Sequence, residues 1–296
     1  MMQRPITDLI NARYSCRTYR DEPVAAATQA ELSAWLAEHT VGPFGSRVRL
    51  ALVAAAPDDS ETLKRLGTYG FIKGATGFLV GAVRRAPHDA EDYGYLVEQA
   101  ILQATGLGLG TCWLGGTFTK GRFAARLGGL ARDEIMPAVI ALGCPADDGT
   151  TRIREREAGS RRLPASSLFF DERFGKALTL APDDPFAAAL EAVRMAPSAS
   201  NKQPWRVVRS GADWHFYLQR TKGYGKGSAL FAVLRLADLQ RVDLGIALCH
   251  FELVARELGL AGDWAFDGPP AASVGADAAA PGVRVEYSAT WRTARA

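Results

Sequence analysis

Hydrophobic residues recur every three to four positions near 5–12, 27–38, 59–67, 90–107, 183–195 and 237–258, and this spacing predicts six helices. Short apolar or alternating runs predict strands at 47–55, 76–84, 137–143, 205–210, 214–219 and 283–289. Helices and strands intersperse without the steady alternation and glycine turns of a doubly wound sheet, so the pattern predicts an α+β layer arrangement. The stretches at 90–107 and 237–258 are apolar around much of their circumference, as helices buried on several sides must be. His250 and Glu252 lie on the second of them and read as structural residues, since a single histidine on such a helix is usually hydrogen-bonded in the core.

The two long helices also end alike. Residues 100–113 read AILQATGLGLGTCW and residues 251–264 read FELVARELGLAGDW; each passes through Gly to a Trp, at an offset of 264 − 113 = 151. Gly relieves the left-handed residue that closes many helices, so one such ending means little. A weaker match joins DLINARYSCR at 8–17 to SLFFDERFGK at 167–176. Found in the same order, the two matches predict an internal duplication with halves 1–160 and 161–296, intertwined as one globular unit and joined through the basic segment Thr151 to Arg162.

With 296 residues, 48% hydrophobic and 23% charged, the chain has the balance of a folded protein and is long enough for two ordinary domains. A net charge of only +3 argues against nucleic acid or an anionic membrane surface as the main partner. The uncharged stretch from Gln99 to Thr119 is long enough to span a bilayer, but its five glycines, four threonines and two glutamines read better as a buried helix entering a glycine loop. Met1 to Asp8 lacks the apolar run of a secretory signal. Cys16, Cys112, Cys144 and Cys249 lie far apart without a CxxC pair, which fits a reducing cytoplasm and excludes a disulfide framework. His39, His88, His215 and His250 show no metal-binding spacing, so no metal site is expected.

Three segments carry candidate chemistry. In Arg13-Tyr14-Ser15-Cys16-Arg17, alternate residues of an extended chain share a face, so Arg13, Ser15 and Arg17 can converge on a phosphate. Taken alone, the segment reads more simply as a solvated turn. Ala196 to Trp205 (APSASNKQPW) clusters proline, hydroxyls and Asn as in a tight loop entering a strand. Its free backbone groups and Asn201 suit the edge of a heteroaromatic ring, although an ordinary loop has the same composition. Gly106 to Gly116 contains GxG, yet it follows a helix, whereas a dinucleotide fingerprint follows a strand and opens a helix. No P-loop, no GxSxG elbow and no paired carboxylates stand out, and no catalytic side chain is nominated.

Together RYSCRTY near the start, GLGLGTCWLGG after a long helix, GCPAD closing a strand and APSASNKQPW resemble the nitroreductase family of FMN flavoproteins over nearly the whole chain. The resemblance implies a nitroreductase-like fold and an FMN cofactor. Arg13, Ser15 and Arg17 would hold its phosphate and ribityl, assisted by Arg162. Leu114, Gly115 and Gly116 would lie against the isoalloxazine, and Pro197, Ser198, Ala199 and Asn201 would reach the ring from the partner half. The implied activity is the reduction of nitro compounds or quinones by NAD(P)H, in a ping-pong hydride relay through flavin N5. A flavin-binding or storage role without turnover is the alternative.

The motifs are distributed unusually. Where the PSxxNxQPW loop would follow the first helices, the chain has Val41-Gly42-Pro43-Phe44-Gly45-Ser46-Arg47, and the loop comes about 150 residues later. The second half has Arg173-Phe174-Gly175-Lys176 in place of a clamp, with no Ser between the basic residues. The resemblance therefore implies two fused halves forming a covalent pseudo-dimer, monomeric in solution, with one complete site built from the first half's clamp and the second half's loop.

Overall fold

The computed structural model describes residues 4–54, 72–116, 118–146, 161–223, 237–279 and 281–294, and divides into two compact units, Met1–Ser160 and Arg161–Ala296. The first opens with α1 (Ile6–Ala12) and α2 (Ala26–Glu38), followed by β1 (Val48–Ala54), β2 (Gly77–Arg84), α3 (Asp89–Gly106), β3 (Gly110–Leu114), α4 (Lys120–Arg126), β4 (Glu134–Ile135) and β5 (Val139–Gly143). The sheet runs β1-β2-β5-β3 with every neighbour antiparallel, and β4 pairs the end of β2. β2 (GFLVGAVR) is buried at seven of its eight positions, which is why its sequence reads as one continuous apolar run. The Tyr93 hydroxyl of α3 donates to the Ala138 carbonyl at 2.5 Å and ties the helix to the sheet.

The second unit begins with a 3-10 turn (Ala165–Ser167) and β6 (Phe169–Asp171), continues through α5 (Ala187–Met195), β7 (Trp205–Ser210), β8 (Asp213–Gln219), α6 (Leu239–Glu257) and β9 (Gly262–Ala265), and ends with α7 (Ala276–Ala279) and β10 (Val285–Thr293). Its sheet runs β6-β7-β8-β10-β9, with β6 parallel to β7 and the rest antiparallel. Phe251 of α6 sits among Phe186, Trp214, Phe216, Trp264 and Trp291 at ring separations of 5.1–6.3 Å. Apolar area of that size dominates the packing of a small sheet on a helix.

Apart from β4 in the first unit and β6 in the second, the units share one order of elements, a helix, two strands, a long helix and two strands, and one sheet order, β1-β2-β5-β3 against β7-β8-β10-β9. The long helices close identically. Leu109 N–H donates to Ala104 O and Gly108 N–H to Thr105 O, while Leu260 N–H donates to Ala255 O and Gly259 N–H to Arg256 O. Gly108 (φ +79°) and Gly259 (φ +74°) supply the left-handed residue of this cap. The weaker match between 8–17 and 167–176 does not survive, because α1 and an extended segment stand in one unit against a 3-10 turn and β6 in the other. Short apolar strings without periodicity cannot tell helix from strand.

The strands expected from the sequence correspond to β1, β2, β5, β7, β8 and β10. The glycine segment after α3 is a helix cap followed by β3, not a loop. β3 and β9 escape sequence reading because each begins at a glycine demanded by a close neighbour. A Cβ on Gly110 would lie 2.8 Å from Cys16 Sγ, and one on Gly262 would lie 2.5 Å from the Trp291 ring. The helix expected at 59–67 and residues 151–160 of the expected connector lie outside the described residues. Among the described residues, no helix is long and apolar enough to cross a membrane.

Candidate functional site

In the first unit, the chain leaves α1 at Arg13 in extended conformation and runs along the edge of the sheet at β3. Cys16 N–H donates to Thr111 O at 2.8 Å, Lys73 N–H donates to Arg17 O at 2.9 Å, and the Tyr19 hydroxyl donates to Cys16 O at 2.8 Å and Ala141 O at 3.1 Å. Cys16 and Tyr19 are buried, while Ser15 and Arg17 are exposed. Burial pushes the Cys112 thiol up, against the pull of the neighbouring Arg17 guanidinium, so this cysteine rests as a neutral thiol.

Arg13 takes a different course from the other two members of the expected clamp. Its side chain is 8% exposed, and Nε lies 3.6 Å from Oε1 of the fully buried Glu98 on α3. The other oxygen of Glu98 accepts the Trp113 indole N–H at 2.8 Å. The structure therefore brings Ser15 and Arg17 together on one exposed face and commits Arg13 to α3. Leu114 ends β3 with its side chain in the core; half-buried Gly115 and exposed Gly116 follow it.

In the second unit, α5 ends at Met195 and the loop to β7 folds back on itself. Pro197 is buried, Ser198, Ala199 and Asn201 are half-buried, and Ser200 is exposed. Ser200, Asn201 and Gln203 have φ of 51°, 54° and 48°. Three non-glycine residues in the left-handed region within four positions is an uncommon concentration of backbone strain. Side chains hold it in place. Gln203 N–H donates to Ser198 Oγ at 2.9 Å, and Gln203 Oε1 accepts from Leu163 N–H at 2.8 Å. Arg162 donates to Asn201 Oδ1 at 2.7 Å and to Met195 O at 2.9 Å, so it braces the loop. Ala199 N–H donates to Oδ1 of Asp243 on α6 at 2.9 Å. Arg206 donates to Gln203 O at 2.9 Å, and burial holds its guanidinium down to about 10.

The family model described as "Putative TM nitroreductase" matches residues 5–255. The chain belongs to this nitroreductase family. A crystal structure of "a putative nitroreductase" from Thermotoga maritima is 19% identical with a TM-score of 0.58, and the match covers 98% of this chain and 94% of that one, which shows that the nitroreductase fold extends over the whole chain. A structure from Desulfovibrio desulfuricans, described as in complex with FMN, is 22% identical, with a TM-score of 0.39 over 49% of this chain and 88% of that one. A nitroreductase with bound FMN from Bacteroides fragilis is 20% identical, with a TM-score of 0.37 over 49% and 91%. No curated protein matches the sequence.

For this nitroreductase-family chain, the motif reading passed over Gln203 and Asp243, which hold the loop, and Glu98, which holds Arg13. Gln203 stands inside the quoted loop sequence but binds backbone, and such a role has no signature in composition. Asp243 lies about 40 residues downstream on an apolar helix, where a carboxylate is costly unless hydrogen-bonded. That misfit was the available signal.

Proposed function

We propose that the chain is an FMN-dependent oxidoreductase that takes reducing equivalents from NAD(P)H and passes them to a small electron-poor acceptor, a nitro compound or a quinone. The observation that supports this most is the 198–203 loop: left-handed φ at Ser200, Asn201 and Gln203, each costing on the order of 1–2 kcal/mol, braced by the Arg162 and Asp243 side chains from outside the loop. Core packing does not call for such a shape, and strain of this kind concentrates where backbone must face a ligand.

The donor set fits FMN. Ser15 and Arg17 would hold the phosphate, because a hydroxyl and a planar guanidinium on one exposed face match its oxygens. A Cβ on Gly116 would meet nothing within 4 Å, so the space beside that backbone is open to a flat ring. Pro197, Ser198, Ala199 and Asn201 would present donors and acceptors to the ring edge. Two members of the expected set change role: Arg13 positions the clamp through Glu98, and Arg162 positions Asn201. When bound, FMN supplies the two-electron carrier that a nicotinamide reduces and an acceptor reoxidises. No side chain is assigned a catalytic role. The resemblance is what assigns both segments to one flavin in a monomeric, cytoplasmic pseudo-dimer with the halves 1–160 and 161–296.

Flavin content of the purified chain, after reconstitution with FMN, tests the reading. One FMN per chain is expected, bleached anaerobically by NADH or NADPH and recoloured by a quinone or nitroarene. Arg17→Ala should release it. A chain that takes up no FMN overturns the proposal, and flavin that no nicotinamide bleaches favours storage over turnover.

A further inference from the structure

The repeat that relates the two long helices places an aspartate at the same point on each: Asp92 on α3 and Asp243 on α6, at 243 − 92 = 151. Both are buried, at 0% and 3% exposure. Each accepts from backbone N–H in the loop between the preceding helix and the strand that follows it, β1 in the first unit and β7 in the second. In the first unit that loop satisfies the whole carboxylate, with Phe44 N–H on Oδ1 and Ser46 N–H on Oδ2, both at 2.8 Å. In the second unit Ala199 N–H reaches Oδ1 at 2.9 Å, while Oδ2 is buried with no partner among the described residues. Three residues earlier, and so on the same face of α6, Gln240 Oε1 is a second buried acceptor without a donor.

We propose that Asp243 is the positioning residue of the 198–203 loop and holds it as a neutral carboxylic acid, with Oδ1 accepting from Ala199 and the proton on Oδ2. The proposal rests on the reading that this loop serves the flavin. A buried ionised carboxylate with one donor is costly, whereas protonation removes the charge and turns one of two orphaned acceptors into a donor facing the side of the other. Burial pushes the Asp243 carboxyl well above the ordinary carboxylate range; the Ala199 N–H opposes the shift and nearby Asp238 adds to it. At Asp92 burial acts in the same direction, but the Phe44 N–H, the Ser46 hydroxyl and the Ser46 N–H all oppose it. The two aspartates share a position and differ in the donors their loops offer: the Phe44 and Ser46 N–H groups and the Ser46 hydroxyl in one unit, the Ala199 N–H in the other.

Asparagine distinguishes the two. At position 243 its carbonyl accepts from Ala199 and its amide stands where the acid proton stood; at position 92 its amide must face an N–H. The experiment compares full-length wild type, Asp243→Asn, Asp243→Ala and Asp92→Asn by amide hydrogen exchange across residues 196–204 without flavin, by the infrared carbonyl band of a buried protonated carboxyl, and by FMN affinity. Expected are unchanged loop protection and FMN affinity in Asp243→Asn, with loss of the infrared band. Asp243→Ala should speed exchange at Ala199 and weaken FMN, each by about tenfold or more. Asp92→Asn should retain that band.

Unchanged loop exchange in Asp243→Ala overturns the positioning role, and loop opening in Asp243→Asn overturns the neutral acid. If Asp243→Ala does not fold, Asp243→Asn decides alone on the same two readouts. A wild type that binds no FMN yet shows the exchange pattern sinks the flavin reading and leaves the positioning role standing.

Discussion

Both units meet the same packing problem after the long helix: a tryptophan enters the sheet and its indole N–H needs an acceptor. In the first unit Trp113 donates to Glu98 at 2.8 Å; in the second Trp264 donates to Glu252 at 2.6 Å. The tryptophans keep the repeat offset, but the glutamates stand 252 − 98 = 154 apart, one helical turn out of step. The same bond is made from non-equivalent positions, as the shared need of a half-buried indole N–H for an acceptor requires. The counterions diverge further. Glu98 pairs with Arg13, which arrives from the end of α1 and is 8% exposed, whereas Glu252 pairs with Arg256 on its own helix, which is 52% exposed. In one unit the carboxylate fastens the start of the proposed phosphate segment to the core. In the other it pairs with an arginine of its own helix.

The largest expected effects break that contrast. Arg13→Ala removes the buried cation beside Glu98 and should cost about 3 kcal/mol of stability; Arg256→Ala removes a solvent-screened i,i+4 pair and should cost under about 1 kcal/mol. Chemical denaturation of both variants checks this, and equal losses would show that the Arg13 pair carries no special burden. Arg17→Ala serves as the control, since its exposed side chain should leave the midpoint nearly unchanged while FMN is lost. Next comes the aspartate pair. Asp92→Asn should cost about 2 kcal/mol, by setting an amide donor against the N–H of Phe44 or Ser46, and Asp243→Asn should be close to neutral. Thermal midpoints of the two variants, measured side by side, give the comparison directly.

Much of this was legible before any coordinates. Period and apolar runs located α3, α6 and six of the strands, and the GLG endings pointed to the repeat. The motifs also singled out the Arg13–Arg17 segment and the 196–205 loop, two segments whose backbone the structure holds by hydrogen bonds from elsewhere in the chain. What stayed hidden has a common cause. Gly110 and Gly262 look like loop residues because the neighbours that exclude a Cβ come from distant sequence. Arg13 looked like Arg17 because alternation fixes which face a residue shares, and Glu98, 85 residues later, decides which of the two turns inward. Asp92 and Asp243 carry no motif of their own; only the backbone N–H groups aimed at them reveal a purpose.

The smallest effects concern the two loops themselves. The first-unit loop takes its left-handed turn at Gly45 (φ +91°), whereas the second uses Ser200 at φ 51°. A Cβ on Gly45 would meet nothing within 4 Å, so Gly45→Ala isolates the backbone cost, about 1–2 kcal/mol. Ser200→Gly runs the other way: relief of the left-handed strain is offset by the greater entropy of glycine in the unfolded chain, leaving a change within about 0.5 kcal/mol of zero. Its consequence should lie in binding, because a glycine lets the loop leave the shape that Gln203 and Arg162 enforce. FMN affinity should fall a few-fold while the melting temperature holds or rises slightly, the pattern of strain kept for function. If Ser200→Gly instead lowers stability as much as Gly45→Ala, the second loop is an ordinary turn, and its departure from the first needs another explanation.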